Sequence, residues 1–419
     1  TWLGSGTRSV ACGEGTAAYD PDTKTLTLTN ATINHDYNAA IWNTVENLTI
    51  KLVGENSISS GEQTGILNQQ SRGLLTLTGD GSLKITVTEG NAIYVNDGSL
   101  LIKDTTVKVS SAASNACAVF ADKGIEISGS TLESAIANGN AIYTPGNLKI
   151  ENSNVTTSND NANGGDYPAI WCASNITING GQLKSTCIGS DALGAVGALS
   201  ITDCNVENKG YYTALYSGGK MTLTGGNITA EAERNAIISE RAMTITNATV
   251  KATAQRYDAL RASDVMKING GSITADAGDN AIISYSAMTI TNATVKATAQ
   301  RHNALRASDV MKINGGRVEA TTVLYDEETY AIHMQPLDDG SNDGRMEIGG
   351  GVELYVKGFS GIAVGDEATI ADAHIVIDSE DWSIDMPVKF AEGCDIALAL
   401  GGDSMESAEP FDWYSMSLE

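Results

Sequence analysis

Residues 235–279 and 280–324 are two copies of one 45-residue segment, identical at 34 positions. Each copy divides again: AIISERAMTITNATVKAT (236–253) resembles ALRASDVMKINGGSITAD (259–276). The underlying unit is therefore 22 or 23 residues long. Self-similarity at a period of roughly 20–50 residues is the mark of a repeat architecture. Each unit holds three short runs with alternating apolar residues: Ala236-Ile237-Ile238, Met243-Thr244-Ile245 and Val250-Lys251-Ala252. That alternation predicts strands with one buried face, and no stretch of the unit has the spacing of an amphipathic helix. A bend falls between the second and third runs, at Asn247-Ala248 and at Asn269-Gly270-Gly271. Asn and Gly tolerate the left-handed backbone that a sharp bend requires.

Three strands this short cover too little apolar surface to offset the entropy of ordering them. Stacked units solve the problem, because each strand then pairs with its counterpart one turn along and the inward side chains form a continuous core. The expectation is an all-β, single-stranded parallel β-helix of about 15 coils, with three short strands per coil. Its hand is expected to be right, as for other parallel crossovers.

The unit can be followed along most of the chain. The second strand reads Leu26/Leu28, Leu48/Ile50, Leu75/Leu77 and onward to Met311/Ile313 and Met346/Ile348. The bend after it is nearly always Asn, Asp or Gly, which suggests a ladder of stacked amides. The first strand is indexed by Ile41, Ile66, Ile93, Val119, Ile142, Ile170, Val196, Leu215, Ile237, Leu260, Ile282, Leu305, Ile332 and Ile362. Residues 1–15 do not fit and predict an N-terminal cap. The repeats are expected over 16–391, with a last coil and a C-terminal cap over 392–419.

With 26 Lys and Arg against 51 Asp and Glu, the formal charge is −25. Such a surface repels phosphate backbones, so no nucleic-acid partner is expected. Direct insertion into a membrane is not expected either, since no run approaches the roughly 18 apolar residues of a helical span. The chain opens on Thr1 without a signal segment, which reads as a mature or trimmed form. The six Cys show no metal or redox spacing. Free buried thiols are the favoured reading, with a Cys172–Cys187 or Cys187–Cys204 bridge as the alternative.

The residue after each first-strand index forms its own column: Trp42, Leu67, Tyr94, Phe120, Tyr143, Trp171, Gly197, Tyr216, Ile238, Arg261, Ile283, Arg306 and His333. Arginine is almost never fully buried without a partner, so the column is expected to point outward. Trp42, Tyr94, Phe120, Tyr143, Trp171 and Tyr216 then become candidate ligand-binding residues, since flat exposed rings suit stacking on sugars. The competing reading is that these rings lie under a loop or a neighbouring chain, or stack on one another for stability. A second candidate surface carries Arg256, Arg261 and Asp264, recurring as Arg301, Arg306 and Asp309. These could hold acidic groups or form ion-pair ladders. A third candidate is Asp339-Gly340-Ser341-Asn342-Asp343-Gly344 followed by Glu347. Asp339, Ser341, Asp343 and Glu347 match the first half of a calcium loop, but Gly350 stands where the bidentate Glu is needed. No cofactor is expected beyond that possible calcium. No hydrolase or phosphate-binding motif is present, and among 51 acids no catalytic pair stands out.

The stretches AAYDPDTKTLTLTNATI (17–33), AIWNTVENLTIKLVGENSI (40–58) and AIYTPGNLKIENSNV (141–155) resemble the secreted, cell-surface β-helix proteins of bacteria often labelled carbohydrate-binding domain-containing. The resemblance runs from Thr16 to about Ile377 and implies the right-handed pectate-lyase-like helix. It also implies an extracellular, non-catalytic role in binding a polysaccharide or cell-surface glycan, or in adhesion. A polysaccharide lyase or hydrolase of the same fold, or a passive stalk, are the alternatives. The resemblance carries over no catalytic residue.

Overall fold

The computed structural model describes residues 8–36, 38–61, 64–69, 73–161, 166–324, 329–334, 344–365, 367–380, 384–385, 388–390 and 394–400. No helix occurs among them, and the chain is a β-solenoid of about 15 turns. It divides into two compact units, residues 1–220 with 230–232, and residues 221–229 with 233–419.

The first unit opens on an antiparallel meander of Arg8–Cys12, Gly15–Asp20 and Thr25–Thr29. Strand Gly15–Asp20 thus lies in the segment expected to begin the repeats, and parallel stacking starts one strand later. Leu26 and Leu28 face Ile50 and Leu52, and Ile50 in turn faces Leu77. The spacing predicts Leu48 and Ile50 opposite Leu26 and Leu28, so the first of these pairings is displaced by two residues, while the second is as expected. An even step leaves every inward side chain inward, because strand side chains alternate with a period of two.

In the second unit the duplicated segment stacks like upon like. Met243, Met266, Met288 and Met311 form one column, and Ile245, Ile268, Ile290 and Ile313 another. All eight are essentially inaccessible. Between them Thr244, Lys267, Thr289 and Lys312 point outward. Each unit also has an alanine column, missing from the sequence reading, just before the first-strand index: Ala92, Ala118, Ala141, Ala169, Ala192 and Ala214 in the first unit, and Ala236, Ala259, Ala281, Ala304 and Ala331 in the second, all fully buried.

That alanine column corrects one index. The spacing predicts Val196 in the first strand, but Leu193 occupies it, facing Ile170 and Leu215. Val196 sits in the following turn, half exposed at 50%. Ala195-Val196 imitates the Ala-aliphatic pair that marks each first strand, while Ala192-Leu193 is the real one. The correction restores the usual coil length and places Gly194, not Gly197, in the outward column.

The bend after the second strand is left-handed in coil after coil. Asn247 and Asn292 have φ of 49° each, and Gly270 and Gly315 have 67° and 71°. Amides do not stack there as expected. Asn alternates with Gly, because the Asn247 carboxamide oxygen lies 2.2 Å from where a Cβ on Gly270 would stand. The amide ladder is at another bend, before the first strand. The Asn235 side chain accepts from the Asp258 amide at 3.2 Å, Asp258 accepts from the Asn280 amide and carboxamide at 3.2 and 3.0 Å, and Asn280 accepts from those of Asn303 at 3.3 Å each. All six cysteines are free, with Cys172, Cys187 and Cys204 buried, so neither bridge forms.

Ile245→Ala is expected to cost about 2–5 kcal/mol in denaturant melts, because it opens a void in a stacked column. Thr244→Lys, on the opposite side of the same strand, is expected to cost under about 0.5 kcal/mol; equal costs would reverse the assignment of faces.

Candidate functional site

First strands set the aromatic column: Trp42, Leu67, Tyr94, Trp171 and Gly194 are the middle residues of three-residue strands, and Phe120, Tyr143 and Tyr216 lie in longer ones. Trp42 faces Leu67 and Leu67 faces Tyr94; Tyr94 faces Phe120, Phe120 faces Tyr143, and Tyr143 faces Trp171. Trp171 then faces Gly194, and Gly194 faces Tyr216. All of these residues lie in the first unit. The inward neighbours are Ile41, Ile66, Ile93, Val119, Ile142, Ile170, Leu193 and Leu215, so strand alternation turns the rings outward. Trp42 is 57% exposed, and the other rings are half-buried.

The rings do not form six separate flat platforms. Tyr94 and Phe120 are stacked, with centroids 4.8 Å apart and planes 15° apart. Phe120 and Tyr143 are tilted by 49° at 5.5 Å. Trp171 and Tyr216 stack at 6.2 Å and 18°. Strand spacing dictates this, since neighbouring coils are about 4.8 Å apart and rings on them touch. Ring-on-ring packing uses one face of each partner. A ligand therefore meets rims, phenolic hydroxyls and the outer faces of each stack, together with the open indole of Trp42.

The outward column changes character in the second unit. Ile238 and Ile283 are buried at 5% and 1%, although they share its register with Arg261 and Arg306. Arginine stems one coil away are placed to cover them. Next in register is His333, half-buried, whose pKa is pushed down to about 4 by burial and then by the Arg306 charge.

The two arginine sets have diverged. Arg256 pairs with Glu233 at 2.8 Å and Arg261 with Glu240 at 2.9 Å. Forty-five residues on, the two acids are replaced by Gly278 and Tyr285. Arg301 donates to the carbonyl oxygens of Gly278, at 2.8 Å, and of Arg256. Asp264 accepts from the Val265 amide at 2.8 Å. The first copy is thus an ion-pair ladder, as its charge pattern allows.

Of the possible calcium ligands, Asp339, Ser341 and Asp343 lie outside the described residues. Glu347 is on a second strand and pairs with Lys312 at 2.7 Å. Among the described residues no group of three or more His, Cys, Asp or Glu is arranged to hold a metal ion.

Four aromatic or apolar residues on the coils of Gly194 and Tyr216 were missed by the sequence reading. Tyr211 and Tyr212 lie edge to face at 5.1 Å, and both their amides donate to the Ser190 carbonyl, at 2.8 and 3.3 Å. Ile188 and Val196, 49% and 50% exposed, stand at the two turns of the coil that carries Gly194. The signal available was the Tyr211-Tyr212 pair just before a first strand.

The fold and this column define a β-solenoid with an outward aromatic stripe. Residues 205–287 match the family model described as carbohydrate-binding domain-containing protein. No curated protein and no solved structure matches the chain.

One titratable group sits at the edge of the stripe. Asp191, two residues before Leu193, is largely enclosed and accepts from the Thr213 hydroxyl and amide. Burial outweighs those hydrogen bonds and pushes its pKa up from 3.8 to about 6. A raised carboxyl pKa favours folding most below the unfolded value, and that contribution is lost as pH climbs through about 6. Asp191→Asn is expected to raise stability at pH 7 by about 1–3 kcal/mol and to flatten the stability profile between pH about 4 and 6, measured by denaturant melts across pH.

Proposed function

We propose that this chain binds glycan through its outward aromatic column, catalyses no reaction, and acts outside a bacterial cell or at its surface. The observation that carries the reading is the stripe itself: Trp42 open at 57% and the Trp171–Tyr216 stack half-exposed on the same face. Aromatic surface held on a rigid scaffold is what sugar rings stack on, and exposed apolar patches mark contact sites. The family match over 205–287 supports the same ligand class. The stripe from Trp42 to Tyr216 reads Trp, Leu, Tyr, Phe, Tyr, Trp, Gly, Tyr, with neither an acid nor a base in register. It therefore offers contact rather than proton transfer. The secreted, surface location and an adhesive use rest on the sequence resemblance.

A glycan array with the wild-type chain and a Trp42→Ala/Trp171→Ala double variant tests this. The wild type is expected to retain one or more glycans, and the double variant to lose about tenfold or more in affinity while keeping the far-ultraviolet spectrum of the folded chain. A wild-type chain that retains no glycan sinks the reading.

A further inference from the structure

We propose that the Trp171–Gly194–Tyr216 stretch takes a neutral sugar chain, and that Gly194 sets the pose of the ring on which it stacks. This rests on the glycan-binding reading above and narrows it to one place and one ligand class.

Gly194 is not required by its backbone, because its φ is not among the left-handed glycines. What the missing Cβ provides is room. A Cβ there would stand 2.4 Å from Cζ3 and 2.6 Å from Cε3 of Trp171, so the indole lies across the Gly194 backbone. Trp171 and Tyr216 are two coils apart, a rise of about 9.6 Å at the usual strand spacing. Their centroids are nonetheless 6.2 Å apart, because the indole leans over the glycine toward the tyrosine. The lean turns the indole away from Tyr143, one coil back. It leaves on that side an aromatic surface backed by Tyr216.

The surroundings fit a sugar. Ile188 and Val196 form apolar shoulders at the two turns of the Gly194 coil, and Tyr211 and Tyr212 stand at the turn just before the Tyr216 strand. The charge pattern then selects among sugars. Across the face and its two bordering turns, residues 166–175, 188–198 and 210–220, the only ionisable acids and bases of the Asp, Glu, Lys, Arg and His types are Asp166, Asp191 and Lys220. These three segments hold no arginine to pair with a uronate or sulfate, and the whole chain carries −25. Long-range repulsion opposes an acidic polymer, while ring stacking and tyrosine, serine and asparagine hydrogen bonds suffice for a neutral one.

The test titrates wild type, Gly194→Ala, Tyr216→Ala, Trp171→Ala and Trp42→Ala by calorimetry. The probes are neutral oligosaccharides from β-glucan and mannan, with polygalacturonate and chondroitin sulfate as acidic counterparts. A neutral probe is expected to bind with an affinity that changes less than about twofold between roughly 0.05 and 1 M NaCl. Gly194→Ala and Tyr216→Ala are each expected to weaken it about tenfold. Tyr216→Ala adds no atom beside the backbone, so it serves where Gly194→Ala lowers the melting temperature. Preferential, salt-sensitive binding of the acidic polymers overturns the inference and leaves glycan binding standing. So does neutral binding that survives Gly194→Ala, Tyr216→Ala and Trp171→Ala and is lost only in Trp42→Ala. Failure of the wild type to bind either class overturns both.

Discussion

Past the antiparallel opening, strands hydrogen-bond to their equivalents one coil away, and the rest of the structure depends on that pairing. Parallel register places a side chain directly above and below the same position of the neighbouring coils. A residue type that fits once therefore fits repeatedly, and the interior becomes columns of Met, Ile and Ala in place of a mixed core. A coil alone could not bury enough surface to stay ordered. Stacked, Met266 and Ile268 lie between Met288 and Ile290 on one side and Met243 and Ile245 on the other, and none is accessible. The bends obey the same rule: the Asn247 side chain occupies the space that Gly270 leaves by having no Cβ.

The outward column is governed by identical geometry with different consequences. Rings on adjacent coils are brought within touching distance whether or not a ligand exists, so Tyr94 and Phe120 stack at 4.8 Å. That self-association favours stability and consumes ring faces. Leu67 interrupts the run between Trp42 and Tyr94 and leaves the Trp42 indole open. Gly194 carries no ring, and Trp171 reaches across it to stack on Tyr216, which leaves indole surface on the far side of that stack. The two readings of the column, structural stacking and ligand contact, thus apply to different stretches of it.

Much of this was legible in the sequence, because the repeat period is carried by inward residues and stacking makes them alike. The coil, the strand faces and the bend residues all follow from that likeness. Three things did not follow. Ala195-Val196 mimics the first-strand pair, and only the pairing of Leu193 with Ile170 and Leu215 separates them. The amide ladder of Asn235, Asp258, Asn280 and Asn303 was assigned to the wrong bend, since both bends are rich in Asn and only side-chain direction distinguishes them. Ring pose was invisible as well. Register says which residues are neighbours, whereas the lean of Trp171 depends on a Cβ that is missing from the next coil.

The duplicated segment shows which positions are free to acquire a function. Inside the column the two copies exchange Ile273 for Val318, Asp258 for Asn303 and Ala277 for Thr322, all small changes at buried sites. At the rims the changes are drastic. Glu240 becomes Tyr285, Arg241 becomes Ser286 and Tyr257 becomes His302. An inward residue answers to two neighbours at once, so a large change strains three coils. A turn residue answers mostly to water, and it can switch between acid, aromatic and small without disturbing the stack. Chemistry in such a molecule accumulates on outward columns and turn corners. The uncharged ring-and-glycine stretch around Trp171 in one unit, and the alternation of arginine with buried isoleucine in the other, are two different surfaces built over the same kind of repeating interior.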